Sequence, residues 1–324
     1  MKPLVSVITL TYKKYDHLFD TIKSVCGQDY DQIEYIICDD GSGNFPKDDV
    51  IRCIEENKGP NMRAYYVYAN EVNVGTVRNI NFAYHHAHGD YFINLSCGDL
   101  FFERDTLSKV MNRLLLSGNE MIVTTRLMYS GNYEPLFLLP HYADREMYTA
   151  LTTKEDQYRV FIMSRLYEMA SGSVMCMSRK AIEEIGYFDE TYFFWEDGPF
   201  LAKYLLRFKL ECAPDIVSIW YEQGGISTDG EKKLYPRLQK DTMQFNSTER
   251  VAHLDRFTAK ERRWIRFRNE RLALGDSKKK YLLYIKYLPE AIRQMKHKEK
   301  RSENYEADLA VIKKLMEYRQ PFIV

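Results

Sequence analysis

Short β-prone runs alternate with helical patterns from the first residues onward, and few folds accommodate that alternation. Val5 to Thr11 (VSVITLT) is a β-branched run; after it Leu18, Phe19, Ile22 and Val25 have the spacing of an amphipathic helix over about Asp16 to Cys26. Ile33 to Cys38, Arg63 to Ala69 and the run beginning at Tyr91 repeat the strand signal, and Met121 to Leu127 reads as a further strand. Thr76 to His88 and Thr106 to Leu116 repeat the helical one. Strands separated by helices form βαβ units, so the order of elements predicts an α/β fold with a mainly parallel sheet flanked by helices.

Acids gather where the strands end. Tyr91-Phe-Ile-Asn-Leu-Ser-Cys-Gly-Asp99 closes on a single carboxylate, and Ile33 to Cys38 runs into Asp39-Asp-Gly-Ser42. Ligands of an open parallel sheet collect outside the carboxyl ends of its strands, which places Asp99 to hold a metal ion or a diphosphate. Taken alone, Asp99 reads better as an ordinary strand-to-loop turn residue. The motifs on either side reverse that reading.

At 324 residues and 45% hydrophobic content the chain can bury a sizeable core, and one large domain plus an appendage is expected. No stretch reaches the roughly 18 apolar residues of a membrane span, and the start lacks the apolar region of a signal peptide, so a soluble cytoplasmic protein is expected. The six cysteines (26, 38, 53, 97, 176 and 212) contain no CxxC pair and read as reduced core residues. The zero net charge hides a division: residues 1–230 hold 22 Lys and Arg against 33 Asp and Glu, and residues 231–324 hold 24 against 13. Two segments with different surfaces are implied, 1–230 as the sheet domain and 231–324 as a basic helical domain.

From about Met128 to Ala170 the periodicity blurs into a segment rich in Tyr, Phe, Pro and Met, read as a long irregular insertion that either packs over the sheet or presents aromatic faces to a ligand. Regularity returns with Ser173 to Ser178 as a strand, Arg179 to Ile185 as a short helix, and Phe193-Phe-Trp-Glu-Asp197 leading into a helix from about Gly198 to Phe208. Leu210 to Val217 is a further strand, and Gly224-Gly-Ile-Ser227 a flexible loop. Beyond Pro236, Thr258 to Leu274, Lys278 to His297 and Ser302 to Arg319 show i, i+3/i+4 apolar spacing and predict an appended C-terminal helical bundle.

In these motifs the chain resembles the family 2 inverting glycosyltransferases, whose nucleotide-sugar-binding fold is the Rossmann-like GT-A fold. The match covers roughly residues 3–228. Val5-Ser-Val-Ile-Thr-Leu-Thr-Tyr12 is similar to the family's opening strand, and Asp39-Asp-Gly-Ser42 to its uridine-contacting turn. Asn73-Val-Gly-Thr-Val-Arg-Asn79 resembles its Asn-x-Gly-x-x-x-Arg-Asn segment, Gly98-Asp99 the end of its Asp-x-Asp metal motif, and Gly186-Tyr-Phe-Asp-Glu190 and Glu196-Asp197 its GxFDE and Glu-Asp pair. Three departures stand out. Cys97 replaces the first acid of the metal motif, Leu10 and Lys13 replace the opening Pro and Asn, and Ile219-Trp-Tyr-Glu222 offers no His where some members supply a metal ligand. The Gln-x-x-Arg-Trp motif of processive synthases is missing, which favours single additions.

The resemblance implies a chemistry. Thr11, Tyr12, Asp39, Asp40, Arg78 and Gly98 would bind a UDP-sugar donor, and Asp99 would hold Mn²⁺ or Mg²⁺ against its diphosphate. Asp197 would be the general base that deprotonates the acceptor hydroxyl, with Glu196 a helper or structural neighbour. Asp197 as a helix cap, and Asp189 and Glu190 as turn residues, remain open alternatives. UDP-linked hexoses or N-acetylhexosamines are the expected donors, and a bacterial surface glycan or glycoprotein adhesin the expected acceptor. A nucleotidyltransferase is the competing enzyme, although Thr11-Tyr-Lys-Lys-Tyr15 stands where such enzymes have a Gly-rich basic loop; a non-catalytic sugar-nucleotide or partner-binding module is the reading of a different class. The basic tail contains no nucleic-acid-binding module. Its helices read first as cover for the sheet or for one another, and Lys278-Lys-Lys280, Arg262-Arg263 and Lys298 to Arg301 are where a leftover basic face would attach peripherally to the inner face of an anionic membrane or meet an anionic acceptor or partner protein.

Overall fold

β1 (Val5–Thr11) and β2 (Ile33–Asp39) lie at the middle of the molecule, every residue of β2 buried and β1 nearly so, because helices cover both faces of the sheet. With β3 (Met62–Ala69), β4 (Tyr91–Asn94), β5 (Leu100–Phe101), β6 (Met121–Tyr129), β7 (Pro135–Leu139), β8 (Met175–Ser178) and β9 (Glu211–Glu222) they form one sheet in the order β3-β2-β1-β4-β8-β6-β9-β5, with β7 alongside β6. The pairs β3-β2, β2-β1, β1-β4 and β6-β9 are parallel, whereas β8, β7 and β5 run antiparallel to their neighbours. A computed structural model gives this architecture and describes residues 2–130, 132–163, 171–223, 236–274 and 279–319. The predicted α/β sheet is therefore present. The expected loop Gly224-Gly-Ile-Ser227 and Lys278 lie outside the described residues.

The helices are α1 (Leu18–Cys26), α2 (Lys47–Asn57), α3 (Thr76–His86), α4 (Thr106–Ser117), α5 (Arg145–Thr149), α6 (Lys154–Ile162), α7 (Arg179–Ile185), α8 (Asp197–Arg207), α9 (Pro236–Ser247), α10 (Ala259–Ala273), α11 (Lys280–Lys286) and α12 (Leu288–Tyr318). Alternate residues of each central strand feed opposite apolar layers, as the two-residue period of a strand requires. Val5, Val7, Tyr35 and Ile37 join the layer under α1, α2 and α4; Ile8, Ile36 and Cys38 join the layer under α3, α7 and α8. Phe245, Trp264, Ile265, Phe267, Leu283 and Tyr287 of the C-terminal helices belong to that second layer. Each such side chain removed from water contributes about 1.5–3 kcal/mol, so α9 to α11 are held to the sheet by the ordinary hydrophobic effect.

Two expectations need correction. The described residues from 128 to 163 are not an irregular insertion: β6 runs on to Tyr129, β7 pairs with it, and α5 and α6 follow, α6 started by Thr153 accepting the Asp156 N–H; the remainder of the expected stretch, 164–170, lies outside the described residues. The elements there are short, five residues in β7 and α5 and nine in α6, so no period runs far enough to be read, although Tyr148, Tyr158 and Phe161 are all buried. The C-terminal helices also divide elsewhere than expected. The break falls at Tyr287, just before Leu288-Pro289, and α12 then runs unbroken through the charged stretch to Tyr318. Proline at the first turn starts a helix readily but cannot continue one, and Lys, Glu and Arg are good helix formers that give no reason for a break.

α12 is fastened to β7 by a buried carboxylate. Asp308 accepts the N–H of Leu138 (3.0 Å) and of Tyr142 (2.7 Å), and pairs with Nδ1 of buried His141 (2.7 Å). Asp308→Ala leaves these donors stranded, so equilibrium denaturation should show a loss of about 3 kcal/mol. An unchanged denaturation midpoint would show that α12 is held by its apolar contacts alone.

Candidate active site

Asp99 and Asp197 each keep one buried carboxylate oxygen without a hydrogen-bond partner among the described residues. The first is Asp99, which follows β4 and is almost wholly buried. Its Oδ1 accepts the N–H of Glu222 (3.1 Å) at the end of β9, and its Oδ2 is unpartnered. Burial pushes its pKa up to about 8. The chain reaches this position through Gly98, whose φ of +96° suits glycine and whose missing Cβ leaves room for Glu222: a Cβ there would stand 2.2 Å from Glu222 Oε2. Glu222 also receives Lys14 Nζ on Oε2 (2.7 Å) and lies 3.6 Å from His17 Nε2. The acid lost at Cys97 is thus answered by a carboxylate from β9. Cys97 itself donates to the Lys14 carbonyl, and burial pushes its thiol up to about 12, leaving it an unsuitable ligand for a hard cation. Asp99 Oδ2 beside Glu222 is an oxygen donor set that fits Mn²⁺ or Mg²⁺. Among the described residues no group of three or more His, Cys, Asp and Glu forms a metal cage.

The second is Asp197, the first residue of α8. No side-chain cap forms at that helix start; Oδ2 instead accepts the N–H of Gly172 (2.8 Å), and Oδ1 is unpartnered. Asp197 and Glu196 retain some solvent access but are closely surrounded by protein, and burial raises both pKa values. Their mutual repulsion discourages double ionisation. The N–H groups of Gly172 and Gly198, the Trp195 side chain and the Arg126 guanidinium favour the charged form of Asp197, whereas Asp241 adds to the repulsion on Glu196. These contacts favour the charged form of Asp197 more than that of Glu196.

Arg126 of β6 connects the two aspartates. It is nine-tenths buried and stacks on Tyr221 at 4.7 Å. NH1 bonds Ser171 and lies 3.5 Å from Ser173, the residues on either side of Gly172. Its charge favours ionisation of both Asp99 and Asp197.

The remaining predicted residues divide by role. Asp39 accepts Ser42 N–H (2.8 Å), Ser42 Oγ (2.6 Å) and Tyr15 Oη (3.0 Å), which shapes the turn after β2. Asp40 accepts the N–H of Val74 (2.9 Å) and Gly75 (3.0 Å) and so anchors the loop into α3. Arg78 on that helix is 62% exposed on its side chain and only 3.6 Å from Glu190, a weak pair that leaves it open to an anion. Thr11 Oγ1 bonds the Lys14 carbonyl, Tyr12 is exposed with Lys13 over its ring, and the Gly98 carbonyl accepts Tyr129 Oη. Asp189 accepts the N–H and hydroxyl of Thr191 and pairs with Lys203, a turn role.

The sequence profile described as Glycosyl transferase family 2 matches residues 6–186, more than half of the chain. The chain belongs to this family. TuaG of Bacillus subtilis (strain 168), named as a teichuronic acid biosynthesis glycosyltransferase, is 33% identical over 114 residues, which cover 35% of this chain and 43% of TuaG. RT0329 of Rickettsia typhi (strain ATCC VR-144 / Wilmington), named as an uncharacterized glycosyltransferase, is 24% identical over 209 residues, covering 63% of this chain and 59% of its own. The matched part thus spans about half the length of these relatives. In fold the chain is similar to S. aureus TarS 1–349 in complex with UDP-GlcNAc (TM-score 0.57, 15% identity, 85% of this chain and 73% of that one). It is also similar to the mannosyltransferase PcManGT from Pyrobaculum calidifontis in complex with GDP-Man and Mn²⁺ (TM-score 0.55, 17% identity, 98% and 89%). The fold is accordingly GT-A.

Sequence reasoning passed over Glu222, Lys14 and Arg126. Glu222 carried a usable signal, an acid at a strand's carboxyl end; Arg126, inside a strand, carried none. Asp241 of α9 was also missed. Its Oδ2 accepts the N–H of Phe193 (3.1 Å), Phe194 (2.7 Å) and Trp195 (3.2 Å), fixing from the C-terminal helices the loop that delivers Glu196 and Asp197. Asp241→Ala should lower turnover by about tenfold or more through misplacement of Asp197, with UDP affinity held. Steady-state donor hydrolysis beside UDP calorimetry checks this; wild-type turnover would mean the loop keeps its shape without Asp241.

Proposed function

We propose that this family 2 protein is a metal-dependent inverting glycosyltransferase that moves a single hexose or N-acetylhexosamine from a UDP-sugar to a hydroxyl of a glycan or glycoprotein. The observation that carries the reading is the pair of unpartnered carboxylate oxygens, Asp99 Oδ2 and Asp197 Oδ1, on either side of Arg126. In this reading residues 1–230 are the catalytic domain and 231–324 a basic helical domain that steadies the catalytic loop through Asp241 and brings the enzyme to an anionic membrane. TarS with UDP-GlcNAc supports a UDP-linked donor, and PcManGT with Mn²⁺ supports a divalent cation. TuaG supports a cell-surface glycan as acceptor. No described helix is long and apolar enough to cross a membrane.

The residues then act as follows. The Asp39 turn and Arg78 receive the uridine and the phosphates. Asp99 and Glu222 hold the divalent cation, which when bound supplies Lewis-acid assistance to the departing diphosphate. Asp197 Oδ1 takes the proton of the acceptor hydroxyl as that oxygen attacks the anomeric carbon; the carbon–oxygen bond to the diphosphate breaks, its electron pair leaves with UDP, and configuration inverts. Gly172 and Arg126 keep Asp197 ionised and fixed in direction.

Asp197→Asn should preserve UDP-sugar binding and cut turnover by about 10²-fold or more. Near-wild-type turnover refutes the assignment of the base. Hydrolysis of a panel of nucleotide-sugars identifies the donor. For the cation, Asp99 titrates near 8 in the metal-free protein, so at pH 6 a proton must leave before the cation binds, and Mn²⁺ affinity should fall between pH 8 and pH 6 with proton release. Calorimetry in buffers of different ionisation enthalpy measures both. Glu222→Gln should weaken Mn²⁺ about tenfold or more, and unchanged affinity would remove Glu222 from the ligand set.

A further inference from the structure

The outer face of α11 and of the first turns of α12 is an uncovered apolar ridge. Tyr281, Ile285, Leu288, Ile292 and Met295 recur at alternating spacings of four and three, and each is between 42% and 68% exposed. The same two helices bury Leu283, Tyr287 and Ala291 against the protein, so the ridge is not needed for their own packing. An apolar stripe of this length is not left to water without a use.

The charges carried by these two helices beside the ridge are mainly basic. They include Lys279, Lys280, Lys286 and Arg293, of which Lys286 pairs with Glu270 of α10 at 2.8 Å, while the one acid between residues 279 and 295, Glu290, is turned inward, buried, and bonded to Arg263 at 3.1 Å. Beside Tyr287 opens a cavity of about 410 Å³ lined by Arg262, Arg263 and Arg266. We propose that this ridge docks the protein on a bilayer carrying anionic headgroups, its apolar residues entering the boundary between headgroups and acyl chains while the flanking cations meet the lipid phosphates. An amphipathic element with aliphatic and Tyr residues on one face and Lys and Arg beside it is the composition that lies in a membrane interface. A second copy of the chain would meet the same ridge with the same cations against its own, so charge disfavours self-pairing despite the heptad-like spacing.

The inference rests on the membrane part of the function proposed above and adds insertion to attraction. The experiment is co-sedimentation of the full chain with vesicles of about 30% phosphatidylglycerol in phosphatidylcholine, and with pure phosphatidylcholine, at low and high salt. Binding to the anionic vesicles is expected, reduced by salt, and reduced about tenfold or more by Ile285→Ser, Leu288→Ser and Ile292→Ser together. Ile285→Trp should show a blue-shifted emission on those vesicles. The substituted residues are exposed and distant in sequence from Asp99 and Asp197, and unchanged donor hydrolysis confirms that the variants fold. Binding that the triple variant retains in full overturns insertion and leaves electrostatic attachment standing. No binding at low salt overturns both. A wild-type dimer that the triple variant dissociates overturns the bilayer as the occupant.

Discussion

Buried aspartates bound to backbone N–H groups hold this structure together. A carboxylate taken out of water must find donors or lose its charge, and the nearest donors in a folded chain are amides left over where strands and helices end. Asp39, Asp40, Asp99, Asp197, Asp241 and Asp308 each accept such amides, and in each case but Asp39 the amide belongs to a distant segment. These bonds tie β2 to the loop before α3, β4 to β9, α8 to the turn before β8, α9 to the catalytic loop, and α12 to β7. The apolar layers hold the elements against one another without specifying direction, and the carboxylates set the registration. Of these six, Asp99 and Asp197 alone have an oxygen without a partner among the described residues. The device that fixes loops elsewhere is left half used where chemistry is expected.

How much of this was legible follows from which signals are local. The alternation of strands and helices is written in residue spacing, so β1 to β4, α1, α3, α4 and α7 were readable, as was the order of the acids at strand ends. Hydrogen bonds across long sequence separations are not so written. Asp40 and Asp39 are adjacent and chemically identical, and only the fold shows that one anchors Gly75 while the other shapes its own turn. Asp241 looks like any helix-surface acid until α9 is seen lying against Phe193 to Trp195. The stretch 128–163 was obscure for another reason: β7, α5 and α6 are short elements, so neither a two-residue nor a 3.6-residue period runs long enough there to be read.

The substitution at Cys97 shows how a site tolerates losing a motif residue. A hard cation needs oxygen ligands and negative charge near the diphosphate, but nothing requires that they come from one strand. β9 ends beside β4's extension because β5, immediately after Asp99, pairs with β9. That pairing brings Glu222 to Asp99, and Gly98 clears the space into which its carboxylate points. An acid two residues before Asp99 would add a third carboxylate near Asp99 and Glu222, raising the cost of ionising them together. Lys14, bonded to Glu222, then has a plain physical role: it balances the charge of that carboxylate beside Asp99.

Arg126 decides how the two ends of the site can work together. The leaving group and the attacking hydroxyl need opposite help at the same moment, negative charge being accepted at one end and a proton at the other. A buried cation between them favours the ionised form of both Asp99 and Asp197, whereas a water-filled gap would screen each from the other. The guanidinium is held by Ser171, Ser173 and the face of Tyr221, so its position does not depend on the carboxylates it serves. In the proposed function this independence matters, because the charge at the Asp99 end would change with a cation and a diphosphate bound there. A support bonded directly to those carboxylates would shift with each step, and one anchored on hydroxyls and an aromatic ring stays in place while they change.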